Sequence, residues 1–156
     1  ARGTAAPVGS DPRDGPVGRP ARTVLTFGTF DVFHVGHLAI LERAAALGNR
    51  LVVGVSSDEL NVAKKGRSCV YDLGARAAIL RALRVVDEVF TEECLELKRH
   101  YLEEYSADVL VMGHDWEGRF DHLGDICEVV YLPRTPSIST TATIERIQLL
   151  PPAASG

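Results

Sequence analysis

Two histidines, His34 and His37, lie three residues apart across a glycine, in a position where they could act on phosphate. Residues 23–27 before them are β-branched and apolar, which predicts a buried parallel strand. The residues after them are apolar at helical spacing up to Gly48, which predicts an α-helix with a glycine cap. The histidines therefore occupy a strand-to-helix turn, where free N–H groups and the positive helix end attract anions. This arrangement indicates phosphate chemistry at a nucleotide.

Two further polar segments also follow predicted strands. Residues 113–115 follow a strand at 109–112, and residues 134–141 follow a strand at 129–132. Because the carboxyl ends of parallel strands meet at one edge of a sheet, we expect all three segments to converge there. Convergence of this kind is what a single active site requires.

The elements that must position these segments alternate along the chain. We predict strands at 23–27, 51–55, 88–90, 109–112 and 129–132, and helices near 38–48, 73–83, 95–105 and 139–149. The polar residues 56–70 interrupt the alternation, and Gly66 favours a mobile loop there. The pattern predicts a single α/β domain with a doubly wound (Rossmann-like), five-stranded parallel sheet and helices on both faces.

Composition narrows the class of protein. The chain has 156 residues, 46% of them apolar, which suffices for one domain with a core. A net charge of −4 with few aromatic residues argues against a nucleic-acid-binding surface. No apolar run is long enough to cross a membrane, and three cysteines without a C-x-x-C pair indicate reduced thiols. We therefore expect a cytoplasmic protein.

The ends of the chain differ in composition from its middle. Residues 1–22 are rich in Pro, Gly, Arg and Ala, and we interpret them as a disordered leader or a cloning remnant. Residues 150–156 resemble a linker, so we predict that one functional domain spans residues 23–149. The tail also allows fusion to a downstream domain.

Several chemistries are disfavoured by the motifs that are missing. The chain has no G-x-G-x-x-G and no Walker loop, which argues against dinucleotide redox chemistry and P-loop phosphotransfer. His34 and His37 could hold zinc, but no third ligand has suitable spacing, so we predict no protein-borne metal. Six basic residues form either a local anion patch or a solvated helix face: Lys64, Lys65, Arg67, Arg76, Arg81 and Arg84.

Three blocks of sequence carry a family resemblance. Residues 26–37, TFGTFDVFHVGH, resemble the HxGH signature of the nucleotidyltransferase superfamily and are most similar to glycerol-3-phosphate cytidylyltransferases. Residues 111–118, VMGHDWEG, resemble that family's MGxDWEG element, and residues 134–141, RTPSISTT, resemble its RTxxISTT element. The blocks occur in the family's order, so the resemblance covers residues 23–147.

The resemblance implies an enzyme that transfers CMP from CTP to a small phosphorylated alcohol and releases pyrophosphate. Glycerol 3-phosphate is the family's usual acceptor, and Mg²⁺ is carried mainly by the CTP phosphates. A homodimer is also implied. Three alternatives remain open: a small phosphonate acceptor such as 2-hydroxyethylphosphonate, as in phosphonate antibiotic synthesis; adenylyl transfer to a cofactor precursor; and a nucleotide-binding domain without activity.

The resemblance also implies roles for individual residues. The expected catalytic residues are His34, His37, Lys64 and Arg134. The expected CTP-binding residues are Gly28, Thr29, Phe30, Lys65, Arg84, Asp87, Gly113, Asp115, Thr135, Ser139, Thr140 and Thr141. The expected acceptor-binding residues are Lys64 and Lys98.

Simpler interpretations of some of these residues remain open. The histidines could be surface or capping residues, one of the hydroxyls at 139–141 could be only an N-cap, and Lys98 could be a solvated helix charge. Asp31 could orient a histidine, approach Mg²⁺ or stabilise a turn.

Two positions depart from the family pattern. The family has two functional lysines separated by one residue; Lys64 matches the first, but Gly66 occupies the second, so Lys65 or Arg67 would have to substitute. His114 stands where these enzymes usually have aspartate, which affects either the base contacts or the acceptor pocket.

Overall fold

The computed structural model describes residues 21–136 and 138–154. The predicted leader at 1–22 lies almost entirely outside the described residues. The strands of the described part are β1 (Thr23–Gly28), β2 (Arg50–Ser56), β3 (Glu88–Glu92), β4 (Val109–Gly113) and β5 (Glu128–Leu132). The α-helices are α1 (Val35–Ala45), α2 (Asp58–Lys65), α3 (Leu73–Arg81), α4 (Lys98–Glu104) and α5 (Thr140–Leu149). Short 3-10 turns lie at Leu95–Leu97, His114–Trp116 and Asp121–Asp125.

All five strands form one parallel sheet in the order β3-β2-β1-β4-β5. The chain runs outward from β1 to β3 and then returns across β1 to β4. This reversal places a topological switch point between β1 and β4, where a crevice opens at the carboxyl edge. The predicted doubly wound five-stranded sheet is confirmed.

Alternate residues of the central strands pack against helices on opposite faces. Val24 of β1 packs with Leu41 of α1 and Leu80 of α3, whereas its neighbour Leu25 packs with Leu102 of α4. Because both faces are covered, the strands are apolar throughout, as buried parallel strands are. This double burial fixes β1, and with it the turn that carries the histidines.

The segment 56–70 differs from its prediction as a mobile loop. It contains α2, whose first turn is capped by the Ser57 side chain accepting from Leu60 N (3.1 Å) and whose end is closed by Gly66 at φ 68°. Asn61 is the one buried residue of α2. Because α2 is only eight residues long and mostly polar, the pattern of apolar residues did not reveal it.

In the part of the chain that the structure describes, no helix is long and apolar enough to cross a membrane.

Candidate active site

The turn after β1 is strained and is held by one buried carboxylate. Phe30 and Val32 adopt left-handed backbone angles, with φ of 53° and 47°, which are unusual for a bulky and a β-branched residue. Asp31 Oδ1 accepts from the backbone N–H groups of Val32 (3.0 Å) and Tyr71 (2.9 Å), and its Oδ2 accepts from Val70 N (2.7 Å). Asp31 therefore stabilises the turn and ties it to the segment after α2.

Both histidines use their Nδ1 atoms to begin α1. His34 is the N-cap and accepts from Gly36 N (3.0 Å), while His37 accepts from the backbone N–H of His34 (3.2 Å), which forms a reciprocal capping box. A neutral imidazole that accepts at Nδ1 must carry its proton on Nε2. The capping interpretation is thus correct, and it leaves both Nε2–H groups available as donors.

The surroundings keep these imidazoles neutral. Burial, the neighbouring His34 and Lys65 together lower the pKa of His37 to about 4, against a smaller opposite effect of Asp31. Burial also lowers the pKa of His34. The two rings stack with centroids 3.8 Å apart, a contact that two imidazolium ions would make unfavourable. At neutral pH the site therefore presents two uncharged hydrogen-bond donors.

The start of α5 lies against the same turn. Thr140 Oγ1 donates to the carbonyl of Asp31 (2.9 Å) and lies 3.4 Å from His34 Nε2. Ser139 is the N-cap, because its side chain accepts from Ala142 N (3.0 Å). The Thr141 hydroxyl is not needed for capping. The positive end of α5 thus faces the histidines and forms an anion-binding position with them.

The basic residues of α2 and the following loop reach this region from the other side. Lys64 Nζ donates to Ser56 Oγ (2.8 Å), and burial lowers the pKa of the half-buried Lys64. Lys65 is exposed and lines both of the clefts described in the next paragraph, and Arg67 Nη2 lies 3.4 Å from Thr141 Oγ1. Arg67 thus spans from the loop to α5, whereas Gly66 only ends the helix.

Two connected clefts run along the carboxyl edge of the sheet. The main cleft encloses ≈ 630 Å³ and the side cleft ≈ 320 Å³. The predicted residues that line the main cleft are Gly28, Thr29, Phe30, His37, Lys64, Lys65, Gly113, Asp115, Arg134 and Thr140. Those that line the side cleft are His34, His37, Lys65, Arg134, Thr135, Ser139, Thr140 and Thr141. The three polar segments therefore converge as expected.

An ion pair crosses the main cleft. Arg134 Nη2 contacts Asp115 Oδ2, and both side chains are largely exposed. An exposed pair contributes little to stability, so Arg134 can exchange this partner for a ligand anion at low cost. His114, the residue that departs from the family pattern, is exposed with its Nε2 3.5 Å from Glu117 Oε2, and it is not among the residues that line the main cleft.

Lys98 is not a solvated helix charge. It is 2% exposed, its Nζ pairs with Glu92 Oε2 at 2.5 Å, and it lies 4.0 Å from the centroid of the Phe27 ring. Burial lowers the pKa of Lys98, and Glu92 opposes this effect. The residue helps to line a third cleft of ≈ 430 Å³, which adjoins the main cleft at Trp116 and Arg119.

A protein-family model described as cytidylyltransferase-like matches residues 25–146 of the chain. The chain belongs to the cytidylyltransferase-like family. One relative, named glycerol-3-phosphate cytidylyltransferase, from Bacillus subtilis (strain 168), is 49% identical over 126 residues, 81% of this chain and 97% of the relative. Another, named FAD synthase, from Pyrococcus abyssi (strain GE5 / Orsay), is 33% identical over 134 residues, 80% of this chain and 90% of that protein.

A solved structure confirms the fold of this cytidylyltransferase-like chain. The crystal structure of the lipopolysaccharide core biosynthesis protein from Thermoplasma volcanium GSS1 matches with a TM-score of 0.65 at 24% identity. The match covers 74% of this chain and 99% of that one. At this identity the likeness speaks for the fold alone.

Two predicted nucleotide-binding residues lie at the other edge of the sheet. Asp87 Oδ2 accepts from the backbone N–H of Leu51 (2.7 Å), at the start of β2, and Arg84 lies in the loop that leads into the start of β3. In parallel strands this is the amino edge, opposite the clefts. Within one chain, therefore, neither Arg84 nor Asp87 lines the nucleotide pocket as expected.

Sequence reasoning placed Arg76 in a surface patch, but this residue is internal. Arg76 is 0% exposed; its Nη1 donates to the carbonyls of Thr29 (3.0 Å) and Ser56 (2.9 Å), and its Nη2 pairs with Asp58 Oδ1 (2.7 Å). It thereby joins the ends of β1 and β2 to α2. Its position four residues before the buried Leu80, on the apolar face of α3, is the signal that could have identified it.

Proposed function

We propose that the chain transfers CMP from CTP to glycerol 3-phosphate and releases pyrophosphate. The proposal rests on one observation above all. Two neutral Nε2–H donors, three basic side chains and the start of α5 meet at one cleft. The chain that carries them is 49% identical to a glycerol-3-phosphate cytidylyltransferase, over 97% of the relative's length. These are the groups that phosphoryl-type transfer requires, because its catalysis consists mainly of alignment and charge stabilisation.

The reaction forms one bond and breaks one bond at the α-phosphorus of CTP. An oxygen of the acceptor phosphate attacks it, and the bond to the bridging oxygen of the β-phosphate breaks, with the electron pair leaving on pyrophosphate. The acceptor phosphate is already ionised, so no general base is required. The neutral His34 and His37 would donate hydrogen bonds from Nε2 to the phosphate oxygens and would not transfer protons.

The remaining residues would bind different parts of the two substrates. Lys64 would bring acceptor and α-phosphate together, and Lys65 and Arg134 would bind the triphosphate with the first turn of α5. The backbone N–H groups of residues 28–30 and 140–141 would offer further donors. Gly113 and Asp115 would lie beside the base.

Mg²⁺ fits this site as part of the substrate. Of the carboxylates that line the main cleft, Asp31 is occupied by three backbone N–H groups and Asp115 by Arg134. The described residues contain no group of three His, Cys, Asp or Glu side chains that could hold a metal ion. Mg²⁺ would therefore arrive on the CTP phosphates, where it neutralises charge.

A matrix of substrates tests the proposal. Pyrophosphate release would be measured with CTP, ATP, GTP and UTP, each with glycerol 3-phosphate and with 2-hydroxyethylphosphonate. We expect turnover with CTP and glycerol 3-phosphate. Preference for the phosphonate would show that the acceptor is a phosphonate. Turnover with ATP alone would favour adenylyl transfer, the second candidate function, which the similarity to FAD synthase supports. No turnover with CTP and either acceptor would contradict the proposal.

A homodimer and fusion to a downstream domain also remain predictions. Sedimentation of the purified chain would test the first, with a single species of twice the chain mass as the expected result.

A further inference from the structure

A chain of polar contacts connects Lys98 to Lys64 through the interior, away from the histidines. Glu92, at the end of β3, pairs through Oε2 with Lys98 Nζ (2.5 Å), and its Oε1 accepts from Ser56 Oγ (3.3 Å). Ser56 Oγ in turn accepts from Lys64 Nζ (2.8 Å), which lines the main cleft. Glu92 is 1% and Ser56 0% exposed, so the two middle residues of this series of contacts are buried away from solvent.

Lys64 and Glu92, on either side of Ser56, determine the direction of both hydrogen bonds that the Ser56 hydroxyl makes. The Lys64 ammonium group can only donate hydrogen bonds, and the ionised Glu92 carboxylate can only accept them. The Ser56 hydroxyl must therefore donate to Glu92 and accept from Lys64. Rotation of the hydroxyl would break both bonds, and a buried polar group without a partner costs about 1–3 kcal/mol. Ser56 thus transmits the orientation of Glu92 to Lys64.

The two lysines of this cluster, which comprises Lys98, Glu92, Ser56 and Lys64, differ in how their charges are neutralised. Lys98 is enclosed between the rings of Phe27 (4.0 Å) and Phe120 (5.0 Å) and is neutralised directly by Glu92. A buried ion pair of this kind resists separation, because each partner alone would carry a large desolvation cost. The net positive charge of the cluster therefore resides on Lys64, the half-buried member at the cleft.

We infer that Glu92 is a positioning residue that orients Lys64 through Ser56, with Lys98 as its buried counter-ion. The inference deepens the proposed function, since it concerns how Lys64 of that site is held.

Removal of one hydroxyl tests the link. Ser56→Ala breaks the connection to Lys64 but leaves Glu92 and Lys98 paired, so the variant should fold. We expect kcat to fall about tenfold, the value of one hydrogen bond to a charged group. In a Lys64→Met background, Ser56→Ala should cause no further loss, because the two changes act through the same group. Equal losses in both backgrounds would overturn the inference.

A measurement without turnover separates this inference from the proposed function. In nitrogen-15 NMR of the side-chain ammonium groups, the bond to Ser56 should slow proton exchange at Lys64 and give it a resolved signal. Ser56→Ala should abolish this signal and retain that of Lys98, which also reports an intact fold. An unchanged Lys64 signal would overturn the inference, whereas absence of turnover in the wild-type protein would contradict only the proposed function.

Discussion

His34 and His37 each perform two tasks with two different nitrogens. The Nδ1 atoms complete the hydrogen bonds of the first turn of α1, and the Nε2 atoms face the clefts. Because the backbone determines which nitrogen carries the proton, the start of the helix also sets the chemistry of the site. In the proposed reaction the imidazoles would act as neutral donors of fixed orientation, which suits a step in which charge moves on to phosphate oxygens.

The two nitrogens of His37 can be separated by substitution. Asparagine places its carbonyl oxygen near the position of Nδ1, whereas glutamine places its amide nitrogen near that of Nε2. We expect His37→Asn to retain the cap and to lower kcat about 100-fold, because one donor to the reacting phosphate is lost. His37→Gln should retain part of the turnover. Steady-state kinetics beside thermal unfolding would show this, and equal kcat values for His37→Asn and wild type would remove His37 from catalysis.

The lowered pKa of His37 also predicts how stability depends on pH. Its pKa is about 4 in the folded chain against 6.5 for the free side chain, so the unfolded chain binds a proton first as the pH falls. The stability contribution is present above pH 6.5 and is lost on the way down to about pH 4. We expect it to amount to about 2 kcal/mol, allowing for partial exposure. Urea unfolding at several pH values should show a shallower decline for His37→Asn; parallel curves would contradict the assignment.

The segment 56–70 illustrates how one element positions cations that a loop could not. Ser57 at the start and Gly66 at the end define α2, and Asp31 holds the residues that follow it. Lys64 and Lys65 are therefore carried on the last turn of a helix, and Arg67 on a loop fixed at both ends. Ser57 and Gly66 are local signals, whereas the hydrogen bonds from Val70 and Tyr71 to Asp31 are tertiary and leave no pattern in the sequence.

Gly66 is required by its backbone angle and not by lack of space. A Cβ at Gly66 would meet no atom within 4 Å, but its φ of 68° disfavours any other residue. We expect Gly66→Ala to lower the free energy of unfolding by about 1 kcal/mol. Gly124 also has no atom near its missing Cβ, but its φ is not in this range, so Gly124→Ala is the matched control. Equal effects of the two substitutions in denaturant titrations would contradict this explanation.

Arg67 is the residue that we expect to replace the second loop lysine of the family. It reaches Thr141 across the side cleft, where the triphosphate would lie. Arg67→Gln should raise the KM for CTP about tenfold, the effect of losing one charge-assisted hydrogen bond, with a smaller effect on the acceptor. Arg81→Gln, on the exposed end of α3, serves as the control for loss of one positive charge. If Lys65→Gln alone raises this KM, Lys65 has that role instead.

Over the whole molecule, the sheet and the position of the site could be predicted because both depend on local patterns. Apolar runs of strand length alternate with helical periodicity, and parallel strands bring their carboxyl ends together at one edge. The membership of the family, predicted from three blocks in order, is confirmed.

The remaining features could not be predicted, because they arise from packing between distant elements. Nothing near Lys98 in sequence shows that two aromatic rings enclose it. The carbonyls that Arg76 binds belong to the residue after β1 and to the last residue of β2. The family resemblance also predicted that Arg84 and Asp87 line the nucleotide pocket, whereas the two residues lie at the opposite edge of the sheet from the clefts. A motif transfers residue types reliably, but the place of each residue depends on the three-dimensional arrangement.

The most direct test of the account is phosphorus NMR of a reaction that contains the wild-type chain, CTP, glycerol 3-phosphate and Mg²⁺. Attack on the α-phosphorus predicts that the signals of CTP and of the acceptor phosphate decline together. A pair of coupled diphosphate-diester signals and the pyrophosphate signal should replace them in equal amounts. Release of CMP with an unchanged acceptor signal, or of CDP and inorganic phosphate, would contradict transfer to the acceptor and with it the role of the cleft.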